Sequence, residues 1–288
     1  QIMKRTSYII LGVLLGGLLL MSGTIFYMSK HGLNRDDYEL YFTEAPKTFP
    51  LPECKVLKLL APRADRNRNG DAERIKEASF IEIPLEICPA DSSASGSISF
   101  AADLEPFVSI TSAEDTVTVS FAFPLEKLDK KFARTFWLSV NSKTGMTLSV
   151  PPGVQSIVSN MYDQKSTIRG FERDSLSLSF RHIYGPVVIE NSHFRSLHIQ
   201  SGNNWHFKSG SAEKMHLNLD YIGNWTVNTD SFHIDTEYLS GSRSAYCTLQ
   251  KNECRQMLWT PLAKEAALNV KLESGGKIEL TDKPKPTE

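Results

Sequence analysis

The alternation of apolar and polar residues between about residues 176 and 239 predicts a stack of short β-strands. The period of two is typical of strands, and the pattern returns after twenty residues. Residues 197–200, Leu-His-Ile-Gln, align with residues 217–220, Leu-Asn-Leu-Asp. Residues 204–207, Asn-Trp-His-Phe, align with residues 224–227, Asn-Trp-Thr-Val. A fixed period of about 20 to 50 residues is typical of repeat architectures, whose units bury their apolar faces only against their neighbours.

The two sides of each predicted strand have different roles. The aliphatic side chains, such as Leu197 and Ile199, are expected to form an inner column, and the polar side chains between them to face solvent. The tryptophans recur one period apart, so they either stack in the core or stand outside as a platform for a sugar ring. The candidate binding residues are Trp205, Trp225, His198, Gln200, Asn218 and Asp220.

The rest of the chain predicts an all-β protein behind one apolar helix. An earlier repeat unit fits at Leu176 and Leu178 with a second strand at 187–189, and a later unit includes Phe232, Ile234 and Tyr238. We predict a short β-helix or β-roll of parallel rungs, preceded by a β-rich lead-in region. The expected divisions are a tail at 1–6, a transmembrane helix at 7–28, a linker at 29–37, the lead-in region at 38–150, the repeat region with its C-terminal cap at 151–280 and a disordered tail at 281–288.

The segment from Ser7 to Met28 predicts a membrane-spanning helix. Its 22 residues carry no charge, and at about 1.5 Å per residue they span about 33 Å, the thickness of a bilayer's hydrocarbon core. Tyr8 and Tyr27 lie near its two ends, where amphipathic rings favour the membrane interface. We expect a retained signal anchor in contact with membrane lipid. Cleavage near the small residues 22–24 is the alternative.

Small residues within this helix predict a packing face. Gly12 and Gly16 form a Gly-x-x-x-Gly step, which lets a second helix approach closely. Glycine is also common in membrane helices in general, so the step alone does not identify a partner.

The cysteines predict an oxidising compartment. Four of them follow the apolar segment, and an even number in a chain rich in Ser and Thr favours two disulfides. The short spacing favours a Cys247–Cys254 bridge, with Cys54–Cys88 as the second pair. Four cysteines allow three connectivities, and four buried thiols are the alternative.

A charged loop matches the front half of a calcium-binding EF-hand loop. Its candidate ligands are Asp65, Asn67, Asn69 and Asp71. Gly70 stands where such a loop turns sharply, but Lys76 occupies the position of the bidentate acid. We therefore expect a polar surface loop with calcium as the alternative, and no other cofactor.

Six of the seven histidines fall in the repeat region, which raises a metal hypothesis. The twenty-residue period places Asn218 beside His198 and Thr226 beside His206, so we expect no two histidines to be neighbours on one face. Neither a His-Glu-x-x-His motif nor a Cys–His zinc spacing occurs. Outward polar imidazoles are therefore predicted, rather than a zinc site.

Charge and motif content limit the function classes. A net charge of −1 and a pI of about 6.7 give no basic surface for nucleic acid. No serine nucleophile motif occurs in a convincing context. The carboxylates that could form an acid–base pair in a small carbohydrate-active enzyme are Asp220, Asp230, Asp235 and Glu237.

The order of segments between about residues 80 and 240 resembles a known family. An Ile-Glu-Ile-Pro-Leu-Glu-Ile strand at 81–87 precedes the loop Ala-Asp-Leu-Glu-Pro-Phe-Val at 102–108. A Val-Thr-Val strand at 117–119, the stretch Leu-Ser-Val-Pro-Pro-Gly-Val-Gln-Ser-Ile at 148–157 and the short rungs follow. This order resembles the GIN domain, also described as a putative autotransporter adhesin head, of bacterial envelope proteins. The resemblance implies an extracytoplasmic all-β repeat fold with an adhesive or scaffolding role, and it supplies no active-site residues.

Together these patterns predict a non-enzymatic, membrane-anchored binding or scaffolding protein of the bacterial cell envelope. The short tail at 1–6 would lie in the cytoplasm and the large domain in the periplasm or outside the cell. The expected partners are membrane lipid and an unidentified protein or glycan. The first alternative is an accessory subunit of a membrane complex recruited through the glycine-rich helix, and the second is a small carbohydrate-active enzyme.

Overall fold

One apolar helix is followed by a chain that is mostly β-strand and forms a curled sheet. The computed structural model describes residues 2–32, 35–61, 78–91, 95–134, 137–181 and 184–273. The helix is α1 (Ile2–His31). The strands are β1 (Glu39–Phe42), β2 (Pro46–Pro50), β3 (Val56–Leu60), β4 (Ala78–Ile81), β5 (Leu85–Pro89), β6 (Ser97–Ala101), β7 (Val108–Ala113), β8 (Thr116–Phe121), β9 (Trp137–Ser142), β10 (Met146–Val150), β11 (Ser156–Ser159), β12 (Ser166–Arg169), β13 (Glu172–Phe180), β14 (Val187–Glu190), β15 (Ser192–Phe207), β16 (Gly210–Asn218), β17 (Ile222–Val227), β18 (Phe232–Gly241), β19 (Ala245–Leu249), β20 (Cys254–Pro261) and β21 (Leu268–Leu272). Short 3-10 helices span Arg35–Asp37, Ala102–Phe107, Leu125–Lys127 and Lys130–Arg134.

The apolar segment is helical and lies clear of the described β-structure. Ser7–His31 has a mean hydropathy of 2.3, and none of it is buried. Its length and composition are sufficient to cross a membrane, as the sequence predicts, and a signal sequence has the same properties.

The long strand β15 joins the two sides of the curl. Residues 193–201 pair in parallel with β13, and residues 192–199 with β16. Residues 205–207 pair in parallel with β14, and residues 202–207 with β17. We call the series β13, β15, β16, β18 and β20 the first ladder, and the series β12, β14, β15 and β17 the second ladder.

The predicted twenty-residue register holds in the second ladder and fails in the first. In the second ladder Trp205 pairs with Trp225. In the first ladder Leu197 pairs with Met215 rather than with Leu217, which pairs with Ile199 instead. Because the difference is two residues and side chains alternate with a period of two, the same side chains still face inward. The predicted faces are therefore right although the predicted partners are wrong.

Pairs beyond the central repeat agree with the sequence in part. Leu176 pairs with Leu197 and Leu178 with Ile199, as predicted for the earlier unit. Strand β18 continues the first ladder through its pair with β16. Tyr238 lies half-buried there while its neighbour Glu237 is buried, because the burial alternation of β18 changes phase between Ile234 and Glu237.

The strands of the predicted lead-in region extend the same sheet. Strand β5 pairs with β10 and β12, and β3 pairs with β8 and β11. One core of buried side chains includes Ile87 and Leu148 from before residue 151 as well as Ile168 and Leu197 from after it. The boundary near residue 150 stays a prediction.

Trp205 is a core residue. Its side chain is fully buried and meets Phe180 edge to face, with ring centroids 5.5 Å apart. Gly202 lies against the indole, where an added Cβ would come within 2.3 Å of Nε1, so the chain needs a glycine there. Of the two interpretations of the tryptophans, Trp205 therefore follows the core one.

The predicted disulfides are not present, because all four cysteines are free thiols. The Cys88 thiol donates to the Leu148 carbonyl oxygen at 3.8 Å. The Cys254 thiol donates to Glu237 Oε2 at 3.9 Å. Cys54 and Cys247 are buried, so the alternative of buried thiols describes the structure better than the Cys247–Cys254 and Cys54–Cys88 bridges.

The corner at Gly210 provides a test of the described backbone. Its φ is +128°, and an added Cβ would lie 1.9 Å from the Ser192 carbonyl oxygen, where only backbone movement relieves the clash. We expect Gly210→Ala to lower the free energy of unfolding by about 2 kcal/mol or more, measured by urea unfolding in detergent. Gly153→Ala is the control, because its added Cβ meets the nearest atom, the Cys54 carbonyl oxygen, at an ordinary 3.5 Å. Equal effects of both substitutions would contradict the corner geometry.

Candidate binding surface

Three rings stack on the outer side of the first ladder. His198, His216 and Tyr238 are register partners on β15, β16 and β18. The two imidazole centroids are 4.3 Å apart with planes 7° from parallel, and the His216 and Tyr238 centroids are 4.6 Å apart at 10°. We call these side chains the ring stack. The prediction that no two histidines are neighbours on one face is wrong, because His198 pairs eighteen residues onward, with His216, rather than with Asn218.

A polar cleft of about 320 Å³ runs beside the ring stack. Its lining residues are His198, Ile199, Gln200, His216, Leu217, Asn218, Tyr238, Leu239, Ser240 and Thr260. The structure thus brings together three of the predicted binding residues, His198, Gln200 and Asn218. His216 and Tyr238 were not among the predicted binding residues, since only the true register shows that they continue the row.

Burial favours the neutral form of the two imidazoles in the ring stack. Partial burial lowers the pKa of His198. Burial also lowers the pKa of His216, with smaller contributions from His198 and Lys214. A neutral imidazole presents one donor and one acceptor at its edge. The His198 Nε2 atom lies 2.9 Å from Ser196 Oγ, which fixes the orientation of this ring.

The carboxylate of Asp220 holds a turn rather than joining the ring stack. Both of its oxygens accept from the Ser242 backbone N–H at 2.9 Å. These hydrogen bonds, with the Arg243 charge nearby, lower the pKa of Asp220. Asp220 was predicted as an outward binding residue, and its role here is structural.

Trp225 lies at a second cleft, of about 380 Å³, which we call the edge cleft. Its lining residues are Gly223, Asn224, Trp225, Tyr246, Cys247, Thr248, Asn269, Val270 and Lys271. Trp225 is half-buried and its Nε1 donates to Glu253 Oε1 at 3.3 Å. The two tryptophans therefore differ in role, because Trp205 is core while Trp225 borders open space.

Two carboxyl groups are buried beside Trp225. Glu237 has no exposed surface, and burial, followed by the nearby Glu253, raises its pKa to about 8. Burial likewise raises the pKa of Glu253, whose Oε2 accepts from the Gln250 backbone N–H at 2.7 Å. Burial, followed by these two carboxyl groups, raises the pKa of the Cys247 thiol to about 11 and that of the Cys254 thiol to about 12.

Sequence reasoning placed Glu237 among possible catalytic carboxylates and did not single out Glu253. Glu253 lies in the turn between β19 and β20, outside any strand alternation. It contacts Trp225, which is distant in the sequence, and no local pattern encodes that contact. The sequence signal for the burial of Glu237 was its position two residues before Leu239, because alternate side chains of a strand face the same side.

Metal chemistry finds no support in the part of the chain that is described. No group of three or more His, Cys, Asp or Glu side chains in that part is arranged to hold a metal ion. The calcium candidates Asp65, Asn67, Asn69 and Asp71 lie outside the described residues.

No protein-family model and no curated protein matches the chain. Similar solved structures include a putative adhesin from Bacteroides fragilis NCTC 9343, with 11% identity, a TM-score of 0.43, and 79% of this chain and 94% of that chain covered. A putative adhesin from Parabacteroides merdae ATCC 43184 has 11% identity and a TM-score of 0.38, with 82% and 99% covered. A putative lipid binding protein from Parabacteroides distasonis ATCC 8503 has 11% identity and a TM-score of 0.33, with 83% and 98% covered. These TM-scores lie below 0.5 and assign no function, and the GIN resemblance stays a prediction.

The buried carboxyl of Glu237 gives a pH test. Its raised pKa means that the folded chain binds more protons than the unfolded chain between about pH 4.5 and about pH 8. This group's contribution to stability is therefore full below about pH 4.5 and is lost as the pH rises through about 8. We expect the free energy of unfolding of Glu237→Gln to rise relative to that of the wild type as the pH increases from about 4.5 to about 8. Urea unfolding at several pH values measures this difference.

The control for this pH test is Asp235→Asn, which removes an exposed carboxyl of the same strand. It should leave the pH dependence of unfolding as in the wild type. Parallel pH curves for Glu237→Gln and the wild type would show that Glu237 ionises normally in the folded protein.

Proposed function

We propose that the protein is a non-catalytic binding module of the bacterial cell envelope, anchored by α1, and that the ring stack and its cleft bind a glycan. The observation that carries the proposal is the row of His198, His216 and Tyr238 beside a polar cleft of about 320 Å³. Proteins of this kind hold their ligand without changing it, so the surface needs shape and hydrogen bonds rather than a reactive group.

A neutral, hydroxyl-rich ligand fits the chemistry of this surface. The edges of the three rings present two imidazoles and a phenol at a regular spacing between 4 and 5 Å. Gln200 and Asn218 add amides that both donate and accept. Such a row matches a linear polymer that repeats its hydroxyl groups along its length and lies across the strands.

The carboxylates favour binding over catalysis. A glycosidase needs two carboxyl groups on either side of the bond that it cleaves. The Asp220 carboxylate accepts hydrogen bonds from the Ser242 backbone N–H. Glu237 and Glu253 are buried and line neither the cleft beside the ring stack nor the edge cleft. Asp235 is exposed on the outside of β18. The described carboxylates thus supply no such pair at the cleft where a sugar would lie.

The finer architecture belongs to the same proposal. We infer that the two ladders are walls of a short parallel β-helix and that the domain lies in the periplasm or outside the cell. Parallel pairs that follow one another along both ladders support this arrangement. The resemblance of the segment order to GIN domains is consistent with it.

The glycan proposal is tested by binding the full-length protein, in detergent, to an array of envelope and host glycans. We expect His198→Ala and Tyr238→Ala each to weaken binding about tenfold, because each removes a hydrogen-bonding edge and a stacked neighbour. His206→Ala is the matched control: it lies on the same strand but in the second ladder, where its ring contacts Thr226. Absence of any glycan signal, or equal loss in the control, would reject the ring stack as the site.

A second candidate function, an accessory subunit of a membrane complex, is favoured by a shallow groove on α1. It is lined by Gly16, Leu19, Leu20, Gly23, Thr24 and Tyr27. An added Cβ at either glycine would meet open space, so the face is free to receive a second helix. The groove contains Gly16 of the predicted pair but not Gly12.

The subunit alternative is tested by co-purification in mild detergent. If a helix packs in this groove, Gly16→Ile and Gly23→Ile should remove a stoichiometric membrane partner, because the added side chains fill the groove. Gly12→Ile, outside the groove, should retain the partner. Retention of the partner by all three variants, or the absence of a partner in the wild type, would argue against this function.

A further inference from the structure

The second ladder stops where the first ladder continues. In the first ladder β16 pairs with β18, and β18 pairs with β20. Among the described strands, β17 pairs only with β15 in the second ladder, and the next strand of the chain on that side, β19, pairs only with β21. The curl is therefore continuous on one side and interrupted on the other, between β17 and β19.

The edge cleft lies at this interruption. Its lining comes from residues 223–225 of β17, 246–248 of β19 and 269–271 of β21. No strand among the described residues occupies the space of about 380 Å³ between them. The edges of β17 and β19 that are not paired carry rows of backbone N–H and C=O groups, which are templates for a further strand.

We propose that the edge cleft accepts an extended peptide segment of a partner protein, which adds as a strand between β17 and β19. Strand addition of this kind takes its affinity from main-chain hydrogen bonds and its selectivity from alternate side chains. A segment of five residues is about 17 Å long, which is similar to the length of β17 or β19. This site is separate from the ring stack and does not depend on the glycan proposal.

The floor of the edge cleft favours a peptide whose inward-facing side chains are apolar. Trp225, Cys247 and Val270 line the cleft and are buried or half-buried. An acidic side chain at the floor would be disfavoured, because Glu253 lies directly behind Trp225. Lys271 also lines the cleft, but it is exposed, and an ion pair in solvent adds little. Tyr246, with 78% of its surface exposed, stands at the side of the cleft and can cover a bound chain.

The cleft is built before a ligand arrives. The Trp225 indole donates to Glu253 Oε1, and Glu253 Oε2 accepts from the Gln250 backbone N–H. This chain of hydrogen bonds fixes the ring that forms the floor. A fixed floor and two strands already extended reduce the entropy lost when a peptide adds.

The test uses fluorescent seven-residue peptides with the full-length protein in detergent. Three acetylated peptides alternate Thr with Val, Lys or Glu, and a fourth is the Val peptide with alternate backbone nitrogens methylated. We expect the Val peptide to bind best and the Glu peptide worst. N-methylation should weaken binding about tenfold or more, because it removes the main-chain donors. Amides of β17 and β19 should exchange more slowly with deuterium when the Val peptide is bound.

Two exposed positions supply the variants. Tyr246→Ala and Asn224→Trp change side chains that face solvent, so they should fold normally, and each should weaken the Val peptide about tenfold. His198→Ala, in the ring stack, is the control and should bind the peptide as the wild type does.

Because recognition is through the main chain, absence of binding by all three unmodified peptides at about 1 mM would overturn the proposal. Equal binding of the methylated peptide, or protection at amides outside β17 and β19, would also overturn it. If the wild-type protein binds the peptides but no glycan, only the proposed function of the ring stack is rejected.

Discussion

The parallel pairing of β15 with its neighbours is the constraint on which the rest of the structure depends. This strand of sixteen residues belongs to both ladders. The sheet passes from one ladder to the other near residues 199–202, where the register with β13 shifts and Gly202 has a φ of +148°. The backbone N–H and C=O groups of a strand in a parallel ladder must bond to the neighbouring strands. A strand on its own would leave these groups unpaired and its apolar face exposed. The inward column that includes Leu197, Ile199 and Trp205 is buried only because those pairs hold successive strands at the spacing of a sheet.

The same pairing creates the candidate binding surface. Side chains directly opposite in a parallel ladder lie about 5 Å apart, which is the spacing that aromatic rings need to stack. His198, His216 and Tyr238 stack because they are register partners and not because their sequence neighbourhoods are alike. Partial burial opposes protonation of both imidazoles, so these rings favour the neutral form, which presents hydrogen-bonding edges.

The sequence predicted the faces of the strands well and their partners less well. The period of two is local, so the inward positions of Leu197, Leu217 and Leu176 were visible without knowing the pairs. The register depends on the lengths of the corners, which changed the partner of His198 from Asn218 to His216. The disulfide expectation failed for a similar reason. Cysteine count and spacing do not reveal which groups surround a thiol in three dimensions. The Cys88 thiol contacts a carbonyl oxygen and the Cys254 thiol a carboxyl oxygen instead.

The most unusual group in the core lies beside the interruption of the second ladder. A carboxyl such as Glu237 is costly to bury without a cation, and one of its oxygens has no hydrogen-bond partner. Its cost is lowered when it holds a proton, which its raised pKa allows at neutral pH. Glu237 lies on β18, in the ladder that continues, while Trp225 and Cys247 border the gap in the ladder that stops. Glu237 and Glu253 are thus buried beside the ladder that is interrupted, where Trp225 contacts Glu253 and also lines the edge cleft.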